Sequence, residues 1–596
     1  MKNLKFIVLF AVIFSVVLTS CKFGSDKVNN TFDGVYAEKN GTYAATDDLG
    51  RTLAMPGDEG IREKRDDRYV GIFYFLWLEQ NPNLYDISKI VAADPQAIYK
   101  PAEWGPEGAF HFWSEPLFGY YTSDDTWVMR KHVQMLTDAG VDFMVFDATN
   151  GYTYKTQALK MLSVLDTYQK QGWNVPKIAF YTNSKSGATI NSIYKDIYMA
   201  HQEYSDLWFN WDGKPLIIGD PDDLELKQDA IDFFRIKHTQ WPIEYNKDGT
   251  HLYHDDGFPW IDFEKPQHVY GDNEVMSVSV AQHNGSVTFS TSAFYGDDSN
   301  WTRSFHNGAN DKSDGAVLYG YNFAEEFKAA IDVDPKIIFI TGWNEWIAQR
   351  QAPRKDQPIV FVDTADMNDS RDIEPMKDGY GDNYYLEMCD YIRKYKGVDG
   401  NVDASQKISI DVNGDFTQWD QAKAVYTDYT DDVVDRKQKG WGKNVYTNDT
   451  GRNNFDTMKV TGDDSNLYFY VKTVDDISAD TDPHWMNLFI STGGDSNWYG
   501  YDYVINRVSP RDGQAVLEKS DGGWSWSEAG TVSYKLEGNQ MMLMVPKSLL
   551  EIDGDNVNIQ FKWADNYQGE GDIWSFYSDG DVAPYGRMNY VYTNTK

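Results

Sequence analysis

The sequence predicts an α/β chain: a (β/α)8 TIM-type barrel followed by a C-terminal antiparallel β-sandwich domain. Two observations carry this. Between residues 61 and 400, short apolar runs rich in β-branched residues alternate with helix-period stretches, the pattern of a parallel sheet with crossovers on its faces. From 401 to 596, short strands of alternating polarity follow one another with Asn, Asp and Gly between them, the pattern of a sandwich. At 596 residues the chain is also too long for one ordinary domain.

The elements follow in order. Lys2 and Lys5 precede the apolar run Phe6 to Leu18, which is too short for an ordinary membrane span. The run ends in Leu18-Thr19-Ser20-Cys21, the pattern of a bacterial lipoprotein signal. Residues 1–21 are therefore expected to act as a signal, with Cys21 becoming the lipidated first residue. The expected place is a bacterial membrane, the outer one, with the protein facing the periplasm or the cell surface. A plain secretory signal with an incidental Cys is the alternative. Residues 22–60 are polar and read as a tether.

Strand patterns then fall at Tyr69–Trp77, Val141–Asp147, Lys177–Thr182, Pro215–Gly219, Ile236–Trp241, Val275–His283 and Lys336–Gly342. Helical patterns lie between them at Thr126–Ala139, Lys155–Gln171, Ile190–Glu203, Glu225–Phe234 and Phe323–Ile331, and Tyr384–Tyr395 closes the barrel. Seven strands are legible and an eighth is not. No Gly-rich phosphate loop follows the first strand and polar residues recur at strand C-ends, which favours a barrel over an open doubly wound sheet. In the second domain the strands include Leu467–Thr473, Met486–Ser491, Tyr501–Val504, Gln540–Val545 and Val557–Trp563.

A net charge of −36 argues against nucleic acid as a partner and against docking on anionic lipid. The lipid anchor is then the expected membrane contact, and a monomer the expected state. Aromatic residues make up 15% of the chain, with 20 Trp and 40 Tyr, which suits a protein that handles glycans. An all-β domain would also raise this share. Cys389 is the only other cysteine, so there is no disulfide framework and no Cys-based metal site; it reads as a small buried residue of an amphipathic helix. His251 and His254 before Asp255-Asp256 read as a solvated loop. The chain has no nucleophile elbow, Walker loop or zinc-type His-Glu-x-x-His. No catalytic cofactor or metal is expected, and carboxylate chemistry remains.

The run Ile337-Ile338-Phe339-Ile340-Thr341-Gly342-Trp343-Asn344-Glu345-Trp346 is a buried strand that ends in a carboxylate between two indoles and beside an amide. On a β/α barrel the C-terminal rim holds the catalytic groups. Trp343 and Trp346 suit the apolar faces of sugar rings, Asn344 a hydroxyl, and Glu345 acid, base or nucleophile work. The bland alternative is packing indoles and a salt-bridged Glu345. The other strand ends supply Glu79, Asp147, Asn183, Asp220 and His283, each of which also has the ordinary fate of a cap or loop hydrogen-bonder. His111, between Phe110 and Phe112, either lines a subsite or packs in its loop.

Trp343-Asn344-Glu345-Trp346 resembles the Asn-Glu-Trp motif of family 99 glycoside hydrolases and their relatives. Asp372-Ile373-Glu374-Pro375 is similar to that group's Ile/Leu-Glu-Pro segment, Tyr380-Gly381-Asp382-Asn383-Tyr384-Tyr385-Leu386 to the entry of its final helix, and Asn300-Trp301-Thr302-Arg303 loosely to a Trp-Asp…Arg element. The resemblance spans roughly residues 65–398. Family 99 enzymes are retaining endo-α-mannosidases, in which the Glu of this motif is thought to deprotonate the sugar 2-hydroxyl and a Glu three residues later is the acid/base. The resemblance implies that Glu345 is the base-side carboxylate, but the second position is Ala348. Another carboxylate then supplies the proton, with Asp147, Glu374 and Glu79 as candidates, or the barrel has lost catalysis. Raised by apolar surroundings, Glu345 could itself exchange acid and base roles. Glu374 is alternatively a group that caps its loop.

Ile408-Ser409-Ile410-Asp411-Val412-Asn413-Gly414-Asp415-Phe416-Thr417-Gln418-Trp419 resembles the opening of family 9 carbohydrate-binding modules, and Leu467–Val471 their second strand. That resemblance implies a structural calcium in the C-terminal domain and sugar stacking by Trp485, Trp498, Trp524, Trp526 or Trp574, with core packing or a spacer role as the alternative. The leading expectation is a surface lipoprotein glycoside hydrolase acting on a glycan or polysaccharide. The rival is a non-catalytic glycan-binding lipoprotein, and a lyase is a weaker third.

Overall fold

The structure, a computed structural model, describes residues 42–494 and 498–594. The signal run, Cys21 and residues 22–41 of the expected tether lie outside the described residues. Eight parallel strands form a cylinder: β1 (Tyr69–Tyr74), β2 (Phe143–Ala148), β3 (Lys177–Thr182), β4 (Lys214–Gly219), β5 (Arg235–Gln240), β6 (Gly257–Pro259), β7 (Val275–Ser279) and β8 (Ile337–Thr341). Hydrogen-bonded ladders run β6-β5-β4-β3-β2-β1-β8-β7. The ring closes where β6 lies beside β7. β6 is the strand that the sequence does not reveal. It is three residues long and ends in Pro259, so it has neither the length nor the composition that strand patterns require.

Each strand splits its side chains between two cores, because successive residues point to opposite faces. Phe73, Val145, Tyr181, Ile218, Phe258 and Phe339 fill the cylinder. Ile72, Met144, Phe180, Ile217 and Ile338 face the surrounding helices. Burial on both faces makes these strands nearly continuous in apolar residues. The helices that pack on the strands include α1 (Thr126–Asp138), α2 (Lys155–Lys170), α3 (Ser186–Ile193), α4 (Gln228–Phe233), α5 (Tyr321–Val333) and α6 (Asn383–Lys396), and short helices Ile87–Ala93 and Phe289–Tyr295 lie in the loops after β1 and β7. Asp125 starts α1 by accepting from the amides of Trp127 and Val128 at 3.2 and 3.4 Å. The connections after β5 and β6 carry no helix, so the βα alternation is incomplete on that side.

Two expectations are corrected here. Residues 42–60 are not a tether. Ala44 and Asn589 exchange backbone hydrogen bonds of 2.9 and 2.7 Å, and Tyr43, Ala45 and Leu53 are buried, so the segment's few apolar residues find a surface to cover. The C-terminal domain's ladders are antiparallel, but apart from a separate hairpin of Arg436–Lys439 with Val445–Asn448 its strands form one continuous, barrel-like sheet rather than the two separate layers of a sandwich. The strands are β9 (Ala424–Thr427), β10 (Phe455–Gly462), β11 (Asn466–Thr473), β12 (Asn487–Ser491), β13 (Tyr503–Ile505), β14 (Gln514–Gly522), β15 (Ser525–Glu537), β16 (Gln540–Pro546), β17 (Asn558–Asp565), β18 (Asp581–Ala583) and β19 (Tyr590–Thr593). Their order is β9-β10-β11-β16-β15-β14-β13-β12-β17-β18, with β19 on β17. Register shifts between Leu517 and Glu518 and between Ser520 and Gly522 accompany the long β14–β15 hairpin, the kind of irregularity that bends a sheet around.

The two domains are clamped together along the loop before α1 and at the end of α2. Arg436 meets Asp125 at 2.8 Å with both side chains buried, Trp441 packs edge-on against Phe112, and Tyr429 stacks on Trp173 at 3.8 Å. This fixes the 110–125 loop, one wall of the barrel mouth. Among the described residues no helix is long and apolar enough to cross a membrane.

Candidate active site

The turn after β8 explains why its motif has two indoles and an amide. Asn344 accepts from the Phe75 amide at 2.8 Å and donates to the Phe75 carbonyl at 3.1 Å, zipping the end of β8 to the end of β1. Trp346 donates to Glu374 at 2.5 Å and stacks on Trp113 at 4.7 Å. Trp343 is sealed against His132 and Tyr385. The amides of Ile373 and Glu374 donate to the Trp343 carbonyl, and Asp372 accepts from the Glu345 amide while its other oxygen takes the Trp113 N–H at 2.8 Å. Trp343, Asn344, Trp346 and Asp372 are thus spent on holding the turn. Glu345 is the motif's one side chain left at the mouth, with 12% of its surface exposed.

Five expected site residues are corrected by this geometry. Trp343, Asn344 and Trp346 have no face open to a sugar. Glu374 is fully buried, accepts from Tyr121 at 2.6 Å and from Trp346, and lies 3.0 Å from His132 Nε2, so it braces the turn. His111 is fully buried too. Its ring nitrogens face the carbonyls of Ala109 and Trp104, and burial pushes it down to about 4. Aromatic and polar residues at a strand end look alike in sequence whether they face a ligand or a neighbouring loop.

The remaining candidates surround Glu345. Burial holds the Glu345 carboxyl well above the usual range; the Arg371 guanidinium, 3.6 Å away, opposes this, and Asp363, Asp372 and Asp147 add to it. Asp147 ends β2 buried, accepts from the Thr149 amide at 2.9 Å, and is raised by burial and by Asp363. His283 is stacked on Phe289, faces the Val287 carbonyl at 2.7 Å, and is pushed down to about 4 by burial and by Arg371, so it is neutral at physiological pH. Glu79 is exposed on the loop after β1, within electrostatic reach of Tyr154, whose hydroxyl is raised by burial and by Asp147 and Glu79. Asp220 lies apart, half-exposed after β4. Its ligand atoms and those of Asp222 and His238 fall within 4.8 Å of one another, close enough to share a cation.

Several site residues were missed by the sequence reading. Arg371 is buried across the rings of Trp260 and Phe289, at 4.8 and 5.3 Å, and reaches Asp363 at 3.1 Å. Trp241 stacks on Trp260 at 4.9 Å, and Tyr152, two-thirds exposed, lies beside Tyr154 on the opposite rim. Asp363 and Arg371 sit in a long connection with no regular elements, so no periodicity marks them. In the C-terminal domain Trp485 and Trp498 are core residues, whereas Trp524, Trp526 and Trp574 are half-buried around Phe489 and Phe576.

The fold and mouth define an α/β barrel with a cluster of carboxyl groups at the C-terminal ends of its strands. The chain matches no protein-family model and no curated protein. Among solved structures it is similar to the GH99 endo-alpha-mannosidase from Bacteroides thetaiotaomicron in complex with BIS-TRIS-Propane, at 16% identity over 55% of this chain and 97% of that one, with a TM-score of 0.34. A second structure of the GH99 endo-alpha-mannosidase from that organism gives 15%, 55%, 98% and 0.33. A glycoside hydrolase-like protein gives 13%, 57%, 96% and 0.29. Overlaps this loose carry no argument about chemistry.

Proposed function

We propose that the chain is a glycoside hydrolase acting on a glycan or polysaccharide, with Glu345 as its proton donor. One observation carries the reading: a single carboxyl, held well above the usual range by burial, stands at the barrel mouth among other carboxyl groups and rings. A general acid needs a raised carboxyl that can reach the glycosidic oxygen, and a second, charged carboxylate must act at the anomeric carbon. Sugar rings would stack on Trp241 on one rim and Tyr152 on the other. The motif resemblance implies that Glu345 is a catalytic group on the base side, and here its role is exchanged to that of the acid. The proposal extends to Cys21 as a lipid anchor that holds the enzyme on a bacterial membrane, in the periplasm or at the cell surface.

Glu345→Gln tests the reading. The amide matches the neutral acid in shape, so the fold and glycan retardation in affinity gels should persist. Product release from polysaccharides should drop by roughly 10²- to 10⁴-fold. Turnover like the wild type removes Glu345 from the chemistry. One feature favours the rival, a glycan-binding protein without catalysis: Ala348 sits buried in a short ribbon opposite His111, where the resemblance expects an acid. Retardation without products from the wild-type protein would decide for that rival.

A further inference from the structure

We infer that Asp363 is the second catalytic carboxylate, acting on the anomeric side of the bond that Glu345 protonates and replacing the acidic residue that position 348 lacks. The inference rests on the hydrolase reading above. Its basis is a shared cation. One nitrogen of Arg371, Nη2, lies 3.1 Å from Asp363 Oδ1 and 3.6 Å from Glu345 Oε2. The two facing oxygens are therefore at most about 7 Å apart, close enough for both carboxyl groups to flank one glycosidic bond.

Exposure separates Asp363 from the other acids near Glu345. Its side chain is 41% exposed and so reaches open space. Asp372 is fully buried with both oxygens engaged by the Glu345 amide and the Trp113 N–H. Asp147 is buried, and among the described residues no cation pairs with its carboxyl. Among the acids described near Glu345, Asp363 combines access with a cationic partner.

The arrangement is also held in place. Arg371 is 1% exposed and lies across two aromatic rings, so it has little freedom to turn. The chain on either side of Asp363 is pinned although it has no helix or strand. The Phe361 amide donates to Ser290 Oγ at 3.0 Å, the Phe289 amide to the Val362 carbonyl at 3.1 Å, and the Ala365 amide to the Asp369 carbonyl at 2.9 Å. A catalytic pair requires this kind of fixed support.

Glu345 gives its proton to the leaving oxygen as the bond to the anomeric carbon breaks. Water adds to that carbon, and its proton goes to Asp363. One water is consumed, and the two carboxyl groups end with their protonation exchanged, to be reset through solvent.

The test compares Asp363→Ala and Glu345→Gln on full-length protein, with polysaccharides and with 2,4-dinitrophenyl α- and β-glycosides of mannose, glucose and galactose. Dinitrophenolate leaves without a proton. Glu345→Gln should therefore keep activity on a dinitrophenyl glycoside that the wild type cleaves, while Asp363→Ala loses roughly 10²- to 10⁴-fold on both substrate types. Adding azide to Asp363→Ala should restore turnover and yield a glycosyl azide, detected by mass spectrometry, because the small anion enters the vacated space. Arg371 merely losing its counter-charge would produce no such adduct. If the wild type is active and Asp363→Ala stays within threefold of it, or azide forms no adduct, Asp363 is not the second carboxylate. If the wild type cleaves none of these substrates, the hydrolase reading falls and takes this assignment with it.

Discussion

Replacing Glu374 separates a brace from a catalyst. Its carboxylate accepts from Tyr121 at 2.6 Å and from Trp346 at 2.5 Å, and packs 3.0 Å from His132 Nε2 in a site with no exposed surface. Hydrogen bonds to a charged acceptor contribute about 1.5–3 kcal/mol each, and removing one partner of a buried polar set costs roughly 3–5 kcal/mol because the others are left unpaired. Glu374→Ala should therefore destabilise the barrel by about 3–5 kcal/mol. At a conversion of roughly 2 °C per kcal/mol for a large domain, Tm should fall by about 6–10 °C. Glu374→Gln keeps the shape and one acceptor oxygen, and should cost less than half as much. The assay is thermal unfolding followed by near-ultraviolet circular dichroism, beside initial rates on folded protein well below Tm. Activity per folded molecule should drop less than tenfold in Glu374→Gln, since Glu345 stays presented. A Tm within about 2 °C of the wild type together with activity lost a hundredfold would refute the argument and return Glu374 to the substrate.

Two further predictions concern stability. Glu326 is buried and raised to about 7, chiefly by burial. The folded state then holds this proton more tightly than the unfolded one, so its contribution is complete below about pH 4.5 and is lost as pH rises to about 7. Tm should fall across that window, and Glu326→Gln should flatten the fall, at most by about 3 kcal/mol; an unchanged slope would contradict this. At the seam, Arg436 pairs with Asp125 at 2.8 Å and lies over Tyr446 and Trp127 at 4.4 and 4.9 Å. Arg436→Ala should cost about 3–5 kcal/mol and loosen the coupling of the domains, turning a single calorimetric transition into two. One unchanged transition would show that the clamp lies elsewhere.

Much of the barrel was legible because its strands are buried on both faces and its longer helices are amphipathic: α1 and α2 follow from their helical period, and the seven longer strands from short apolar runs between them. β6 was not, since three residues ending in Pro carry no period and its place is fixed by pairing with β5. The one-sheet course of the C-terminal domain was likewise hidden, because strand pairing is a long-range choice that local alternation does not encode.

The site divides in the same way. The sequence by itself determined that a carboxylate stands at the end of β8, and that acids gather at neighbouring strand ends, because strand polarity and barrel topology set both. Only the tertiary structure decided which of the motif's side chains face the mouth. Asn344, Trp343 and Trp346 turn inward since the strand end must be tied to β1 and to the Asp372–Glu374 segment. Asp363 and Arg371 come within reach of Glu345 only through the packing of a connection without regular structure. Contacts between residues far apart in the chain, each satisfying a buried polar group, are what separate the catalytic candidates from the braces.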